Sequence, residues 1–127
     1  MKTLYLVEDN QDNADLICDL LEGDYAVRRF PDAPSVLAEL ASSASPAPDL
    51  FLLDISLPGM DGTTLLAQIR SIPAFASTPA IALTAHAMKS DKGIFLRAGF
   101  NDYLSKPITD EGLLLQAISS QVEGRTS

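Results

Sequence analysis

Short apolar segments alternate with longer amphipathic ones along the whole chain. The short segments are rich in strand formers and predict five strands, at Thr3–Val7, Tyr25–Phe30, Leu50–Leu53, Pro79–Leu83 and Asp102–Ser105. The segments between them have apolar residues at helical spacing. They predict five helices, one between the cluster at 10–13 and Gly23, then Asp32–Ala41, Thr63–Ile72, Lys89–Ala98 and Asp110–Val122. In the last helix, the inward residues are predicted to be Leu113, Leu114, Ala117 and Ile118.

Strands that alternate with helices predict an α/β fold with a parallel sheet and helices on both faces. The run Leu50–Leu53 is apolar throughout, as in a central strand, whereas Tyr25–Phe30 is more polar and suits an edge. We expect the flavodoxin-like strand order 2-1-3-4-5, in which ligands bind at the carboxyl ends of the strands. The domain is expected to comprise residues 1–122, followed by a polar tail at 123–127.

Composition and charge narrow the function classes. The 127 residues suit one domain, and the net charge of −8 argues against direct binding to nucleic acid or an anionic membrane. Cys18 is the single cysteine, so no internal disulfide is possible, and neither a signal peptide nor an apolar run long enough to span a membrane is present. A cytoplasmic location is the expectation. The Met1 start and the short tail favour a stand-alone protein over a piece excised from a hybrid kinase.

Polar residues stand where the predicted strands end. Glu8 and Asp9 follow the first strand, Asp54 follows the third, Thr84 follows the fourth and Lys106 follows the fifth. Carboxylates about 4 Å apart repel by roughly 4 kcal/mol at an effective dielectric near 20, so a cation is expected between them. Oxygen ligands at a small rim suit Mg²⁺, or alternatively Mn²⁺. With Thr84 as a hydrogen-bond donor and Lys106 as a positive charge, the set predicts a phosphoryl acceptor whose nucleophile is Asp54.

Four motifs, in this order and spacing, resemble the receiver domain of two-component response regulators. They are VEDN at 7–10, LDISLPGMDG at 53–62, ALTA at 82–85 and YLSKP at 103–107. The resemblance covers nearly the whole chain. It implies a signalling switch that is not an enzyme in the usual sense, because the domain catalyses only its own phosphorylation and dephosphorylation.

The resemblance implies specific roles for the residues at the strand ends. Asp54 matches the phosphoacceptor, which takes its phosphoryl group from the phosphohistidine of a sensor histidine kinase or a histidine phosphotransfer protein, docked near the first helix. Glu8, Asp9, Asp54 and the backbone carbonyl of Ser56 match the ligands of Mg²⁺. The output would be a changed surface on the fourth helix, fifth strand and fifth helix, read by a downstream protein.

Further roles follow from the same resemblance. Thr84 and Lys106 match the residues that hold the phosphoryl group, and Tyr103 matches an aromatic residue that changes rotamer when the threonine moves. The Lys106-Pro107 peptide bond is expected to be cis. The positions that influence phosphoryl lifetime in the family hold Ser56 and His86 here, although the favoured interpretation of His86 is a loop histidine without such a role.

Two alternatives stay open at this point. A small phosphatase of the haloacid dehalogenase type also uses an aspartyl phosphate, but its nucleophile ends the first strand and is followed two residues later by an aspartate. Here Asp54 directly follows the third predicted strand, and residue 56 is a serine. The other alternative is a flavodoxin-like or receiver-like binding module that is not phosphorylated. A flavodoxin-like site needs a phosphate-binding loop after the first strand, and the acidic segment at 9–12 has the wrong charge for it.

Overall fold

Five parallel strands form a single sheet in the computed structural model, which describes residues 2–42, 47–57, 59–85, 89–106, 108 and 110–122. The strands are β1 (Thr3–Val7), β2 (Ala26–Phe30), β3 (Leu50–Asp54), β4 (Ala80–Thr84) and β5 (Asp102–Ser105). The helices are α1 (Gln11–Leu21), α2 (Ala33–Ala41), α3 (Gly62–Arg70), α4 (Lys89–Ala98) and α5 (Glu111–Val122). None of the described helices combines the length and the apolar character that crossing a membrane requires.

The order of the strands is β2-β1-β3-β4-β5, so the predicted topology is confirmed. All four pairings are parallel. Val7 at the end of β1 pairs with Leu53 of β3, and Thr84 at the end of β4 pairs with Ser105 of β5. The carboxyl ends of these four strands therefore meet at one edge of the sheet, where the polar residues were expected to gather.

The side chains of the sheet alternate between two cores, because successive strand residues point to opposite faces. Phe51 and Leu53 of β3 face a core that is covered by α2, α3 and α4. Leu50 and Leu52 face the opposite core, which is covered by α1 and α5. Each residue of β3 and β4 is buried, which is why their sequences are almost wholly apolar, whereas edge strand β2 is partly exposed.

Side-chain caps fix where three helices begin. Asn10, Asp32 and Asp61 each accept a hydrogen bond from the backbone amide three residues later, at 3.0, 2.9 and 2.8 Å. Such a cap satisfies an amide that has no partner within the helix. The second helix was predicted to include Asp32, but this residue lies just before α2 because its side chain serves as the cap. Asp110 caps α5 in the same way, through the amide of Leu113 at 3.1 Å.

Two predicted segments differ from the observed ones near α3 and β4. The third helix was expected to reach Ile72 but ends at Arg70, and a 3-10 turn follows at Pro73–Phe75. A proline disfavours helical backbone in the residue before it, which explains the early end. The fourth strand was predicted to begin at Pro79, but β4 runs from Ala80 to Thr84, since proline has no amide to donate to the sheet.

The prediction that Leu113 packs inward is wrong, because this side chain is 58% exposed. The buried face of α5 is formed by Leu114, Ala117, Ile118 and Val122. These residues have i, i+3, i+4 and i+8 spacing, and at 100° per residue Leu113 lies well to one side of that stripe. The large apolar side chain of Leu113 is therefore on the surface of the protein.

Candidate functional site

Asp54 ends the central strand β3, and the Ser56 amide and Lys106 both contact the same oxygen of its carboxylate. The residue is 1% exposed. Its Oδ1 accepts a hydrogen bond of 3.0 Å from the backbone amide of Ser56 and lies 3.1 Å from Nζ of Lys106. Among the described residues, Oδ2 is the buried side-chain atom that lacks a hydrogen-bond partner. A buried polar atom without a partner is costly, so Oδ2 is the atom that a ligand or metal would satisfy.

Lys106 links two carboxylates that come from different strands. Its Nζ lies 3.1 Å from Asp54 Oδ1 and donates to Glu8, at 3.2 Å from Oε1 and 3.5 Å from Oε2. The backbone amide of Lys106 donates to the carbonyl of Thr84 at 2.8 Å. That bond continues the pairing of β4 with β5 and fixes where the lysine side chain begins. The ammonium group therefore bridges the ends of β1 and β3.

The acidic residues at this edge form one cluster. Glu8, Asp9 and Asp54 each offer a carboxylate oxygen, and these atoms lie within 4.8 Å of one another. Glu8 is buried and its amide donates to the carbonyl of Phe30 at 3.1 Å, whereas Asp9 is exposed. Three hard oxygen donors beside the unpartnered Oδ2 of Asp54 fit a small divalent cation that keeps part of its water shell.

Burial and proximity shift the pKa values of the site in different directions. Burial, followed by the neighbouring Asp54 carboxylate, raises the pKa of Glu8 to about 7, although Lys106 opposes the shift. Burial also acts to raise the pKa of Asp54, but Glu8, the Ser56 amide and Lys106 together outweigh it, so that pKa is lowered. The pKa of Lys106 is raised, since its two carboxylate partners outweigh its desolvation. Near neutral pH, the ionised Asp54 is therefore next to a charged lysine and to Glu8, which is still partly protonated.

Thr84 and Tyr103 lie on the two strands beyond β3. Thr84 is 5% exposed and directly follows Leu83, which pairs with Asp54 across β3 and β4. Tyr103 is half-buried on β5, with its ring 5.9 Å from that of Phe95 in α4 and tilted by 45°. The tyrosine therefore connects β5 to α4, on the same side of the sheet as the core under α2, α3 and α4.

Three expected features lie outside the described residues, namely His86, the polar tail at 123–127 and the predicted cis bond before Pro107. Ser56 is exposed and contacts Asp54 through its backbone amide. Two contacts of the site were not predicted from the sequence. They are the contact of Lys106 with Glu8 and the close packing of Gly62 on Asp54.

The sequence comparisons point to one family. Residues 4–119 match the family described as the response regulator receiver domain. An uncharacterised 14.6 kDa protein from Leptolyngbya boryana is 38% identical over 105 residues, which are 83% of this chain and 79% of that protein. The signal transduction histidine-protein kinase BarA from Escherichia coli strain K12 is 40% identical over 111 residues, 87% of this chain. The chain spans only 12% of the length of BarA.

Solved structures agree with the family match. A response regulator from Chloroflexus aurantiacus superposes with a TM-score of 0.86 at 32% identity, covering 96% of this chain and 98% of that one. The Mn²⁺-bound form of response regulator Rcp1 has a TM-score of 0.77 at 29% identity, covering 94% and 93%. None of these similarities supports the alternative of a haloacid dehalogenase phosphatase. The chain therefore belongs to the response regulator receiver domain family, whose members are signalling switches rather than enzymes of an ordinary catalytic class.

Proposed function

We propose that Asp54 is the phosphoacceptor of this receiver domain and that its Oδ2 is the attacking atom. The observation that carries the proposal is the asymmetry of the carboxylate, whose Oδ1 is held by Ser56 and Lys106 while the buried Oδ2 has no partner among the described residues. A carboxyl group acts as a nucleophile in its ionised form, and the lowered pKa of Asp54 favours that form.

The transfer exchanges one bond to phosphorus for another. Oδ2 of Asp54 forms a bond to phosphorus as the P–N bond of a phosphohistidine breaks, and the imidazole leaves with the electron pair and takes up a proton. Lys106 lies where it can neutralise an oxygen of the transferred group, and Thr84 at the neighbouring strand end can donate to another. Glu8, Asp9, Asp54 and the carbonyl of Ser56 would hold Mg²⁺ or Mn²⁺, which supplies positive charge for the phosphoryl oxygens.

The phosphorylated domain would signal through α4, β5 and α5. Phosphorylation adds about −1.5 to −2 charges at the end of β3. A shift of Thr84 toward that charge makes room for Tyr103, which already contacts Phe95 of α4. Exposed apolar side chains lie on the two flanking helices and offer a surface for a downstream protein, namely Ile94, Leu96 and Leu113.

The relatives support a proposal about the donor and the molecular context. We take the domain to comprise residues 1–122, phosphorylated in the cytoplasm by a sensor histidine kinase or a histidine phosphotransfer protein. BarA, of which the chain spans 12%, is a histidine kinase with a similar segment, whereas the Leptolyngbya boryana relative is short enough to be spanned for 79% of its length. Both a stand-alone receiver and a receiver within a larger kinase are therefore compatible with this sequence.

A labelling experiment tests the acceptor assignment. The protein is incubated with acetyl phosphate and Mg²⁺, reduced with borohydride, which converts an aspartyl phosphate to homoserine, and digested for mass spectrometry. Homoserine is expected at position 54 and absent in Asp54→Asn. Modification of another aspartate at the same level would overturn the assignment.

Asp49→Asn is the matched control for this experiment. Asp49 lies just before the other end of β3, where Oδ2 accepts from the amide of Thr3 at 2.8 Å. The substitution thus removes a carboxylate next to the same strand but far from the site, and labelling is expected at the wild-type level. Excess EDTA should stop the reaction of the wild type, and undiminished labelling in EDTA would contradict the part played by the metal.

A further inference from the structure

Gly62, the first residue of α3, packs directly on the backbone of Asp54. A Cβ atom at position 62 would lie 2.5 Å from the carbonyl oxygen of Asp54, 3.1 Å from its carbonyl carbon and 3.0 Å from Cα of Ile55. The amide of Gly62 donates to the carbonyl of Ile55 at 2.8 Å. The start of α3 and the end of β3 are therefore in backbone contact, with no space for a side chain between them.

Neither side of this contact can move easily. On the strand side, the amide of Ile55 donates to the carbonyl of Leu83 at 2.9 Å, which ties the end of β3 to β4. On the helix side, Asp61 caps α3, and Leu65 is fully buried one turn later. The atoms that a Cβ would strike belong to the backbone and not to the flexible end of a side chain. A methyl group at position 62 must therefore displace Asp54 or the first turn of α3.

The contact also closes the loop that holds the Asp54 carboxylate. The hydrogen bond between Gly62 and Ile55 joins the two ends of this loop, and within it the amide of Ser56 donates to Oδ1 of Asp54 at 3.0 Å. A shift of the backbone at Asp54 would change the angle of the carboxylate relative to both the Ser56 amide and Nζ of Lys106. Displacements of about 1 Å can cost about 100-fold in rate when a reacting group must be aligned.

We propose that Gly62 is a positioning residue for the phosphoacceptor, because its missing side chain lets α3 set the backbone and thereby the carboxylate of Asp54. This inference rests on the proposed function of Asp54 and adds a residue that touches neither the phosphoryl group nor the metal. The need for glycine is one of space and not of backbone conformation, since positive φ angles occur only at Gly23, Gly59 and Gly99 among the described residues. In a helix without such a contact, alanine would be favoured over glycine.

Gly62→Ala tests the proposal, with Gly93→Ala as the matched control. Among the described residues, a Cβ at Gly93 in α4 would meet only Nη2 of Arg97, at 3.8 Å. We expect folded Gly62→Ala to be labelled about 10- to 100-fold more slowly by acetyl phosphate at saturating Mg²⁺. The control is expected to be labelled at the wild-type rate and to be slightly more stable.

A third variant separates positioning from loss of stability. Ile69→Ala removes a buried side chain from the last turn of α3, seven residues after Gly62, and should destabilise the fold. Rates are compared per folded molecule, and trimethylamine N-oxide is added to all variants if Gly62→Ala is unfolded in buffer. Slow labelling of Gly62→Ala with a normal rate for Ile69→Ala would support the proposal.

The remaining outcomes overturn it in distinguishable ways. Labelling of folded Gly62→Ala at the wild-type rate overturns the positioning role and leaves Asp54 as the acceptor. Equal slowing in Gly62→Ala and Ile69→Ala shows an effect of stability alone and also overturns it. A wild-type protein that is not labelled at Asp54 overturns the proposed function and the positioning role together.

Discussion

Lys106 and Asp54 form an ion pair inside the domain, with Nζ of the lysine 3.1 Å from Oδ1 of the aspartate and side-chain exposures of 14% and 2%. The same ammonium group donates to Glu8. The lysine thus stabilises the ionised form of Asp54, the proposed acceptor. Oδ2 of Asp54 has no hydrogen-bond partner among the described residues.

Lys106→Gln is expected to destabilise the metal-free protein by about 1–3 kcal/mol near pH 8, because two buried carboxyl groups lose their cation. The lysine helps to lower the pKa of Asp54. A lowered folded-state pKa contributes stability above the unfolded pKa, and this contribution is lost as the pH falls through the folded value. The loss of unfolding free energy in Lys106→Gln should therefore become smaller toward low pH. Urea denaturation at several pH values would measure this change.

Arg29→Gln provides the comparison for this experiment. Arg29 pairs with Asp15 at 2.6 Å, but the two side chains are 41% and 60% exposed. Exposed ion pairs contribute about 0–1 kcal/mol, so this variant should change the free energy of unfolding little. If Lys106→Gln and Arg29→Gln lose the same unfolding free energy, burial does not make the Lys106 ion pair more stabilising than an exposed one.

The sheet and most of the site were predictable because burial and charge are directly reflected in the residue types along the sequence. The apolar run Leu50–Leu53 and the abrupt carboxylate after it follow from a central strand that ends at a polar edge. Individual side-chain contacts are not reflected in the residue types in this way. Lys106 and Glu8 are 98 positions apart, and whether the lysine reaches Glu8, Asp54 or both depends on the spacing of strand ends in the folded sheet.

The exposure of Leu113 and the packing of Gly62 were not predicted, and the two cases have separate physical causes. Leu113 belongs to the helical repeat of α5 by spacing, but adjacent residues of a helix are 100° apart, and only packing decides which stripe is buried. Gly62 is the last residue of the motif at 53–62. Its contact with the carbonyl of Asp54 is tertiary, so the reason for the glycine appears only in the fold.

We expect the metal-free protein to become less stable as the pH rises, because the pKa of Glu8 is higher in the folded protein than in the unfolded chain. Its pKa is raised from 4.5 to about 7 in the folded protein. Between these values the unfolded chain releases the proton while the folded chain retains it, so the free energy of unfolding falls as the pH increases through this window and levels off above it. Glu8→Gln should remove most of this decline. Urea denaturation from about pH 5 to about pH 8 would test this prediction. If the free energy of unfolding declined equally with pH in the wild type and in Glu8→Gln, the assignment to Glu8 would be refuted.

Arg70 is expected to be among the more important polar side chains for stability. It lies at the end of α3, where Nη1 donates to the carbonyls of Phe75, at 2.9 Å, and of Thr78, and Nη2 donates to the carbonyl of Gly99 at 3.1 Å. These bonds tie α3 to the segment before β4 and to the end of α4. Arg70→Met keeps much of the apolar stem but leaves the carbonyls without their donor, which should cost about 2–3 kcal/mol in chemical denaturation.

Arg97→Met is the control for Arg70→Met. Arg97 is exposed in the last turn of α4, and surface substitutions of this kind usually change stability by about 0.5 kcal/mol or less. Arg70→Lys should lie between wild type and Arg70→Met, since one ammonium group cannot reach all the carbonyls that the guanidinium contacts. A loss in Arg70→Met no larger than that in Arg97→Met would mean that the carbonyls find other partners.

Binding of Mg²⁺ near neutral pH is expected to release protons from Glu8. A carboxyl group that acts as a metal ligand must be ionised, and the pKa of Glu8 in the metal-free protein is raised to about 7. Titration calorimetry in two buffers with different ionisation heats should therefore show proton release, and the affinity should fall by up to about tenfold per pH unit below that pKa. Glu8→Gln should bind Mg²⁺ more weakly and release no proton, whereas Asp24→Asn, at an exposed position, should behave like the wild type. Binding without proton release near pH 7 would mean that Glu8 is already ionised, or that it is not a ligand.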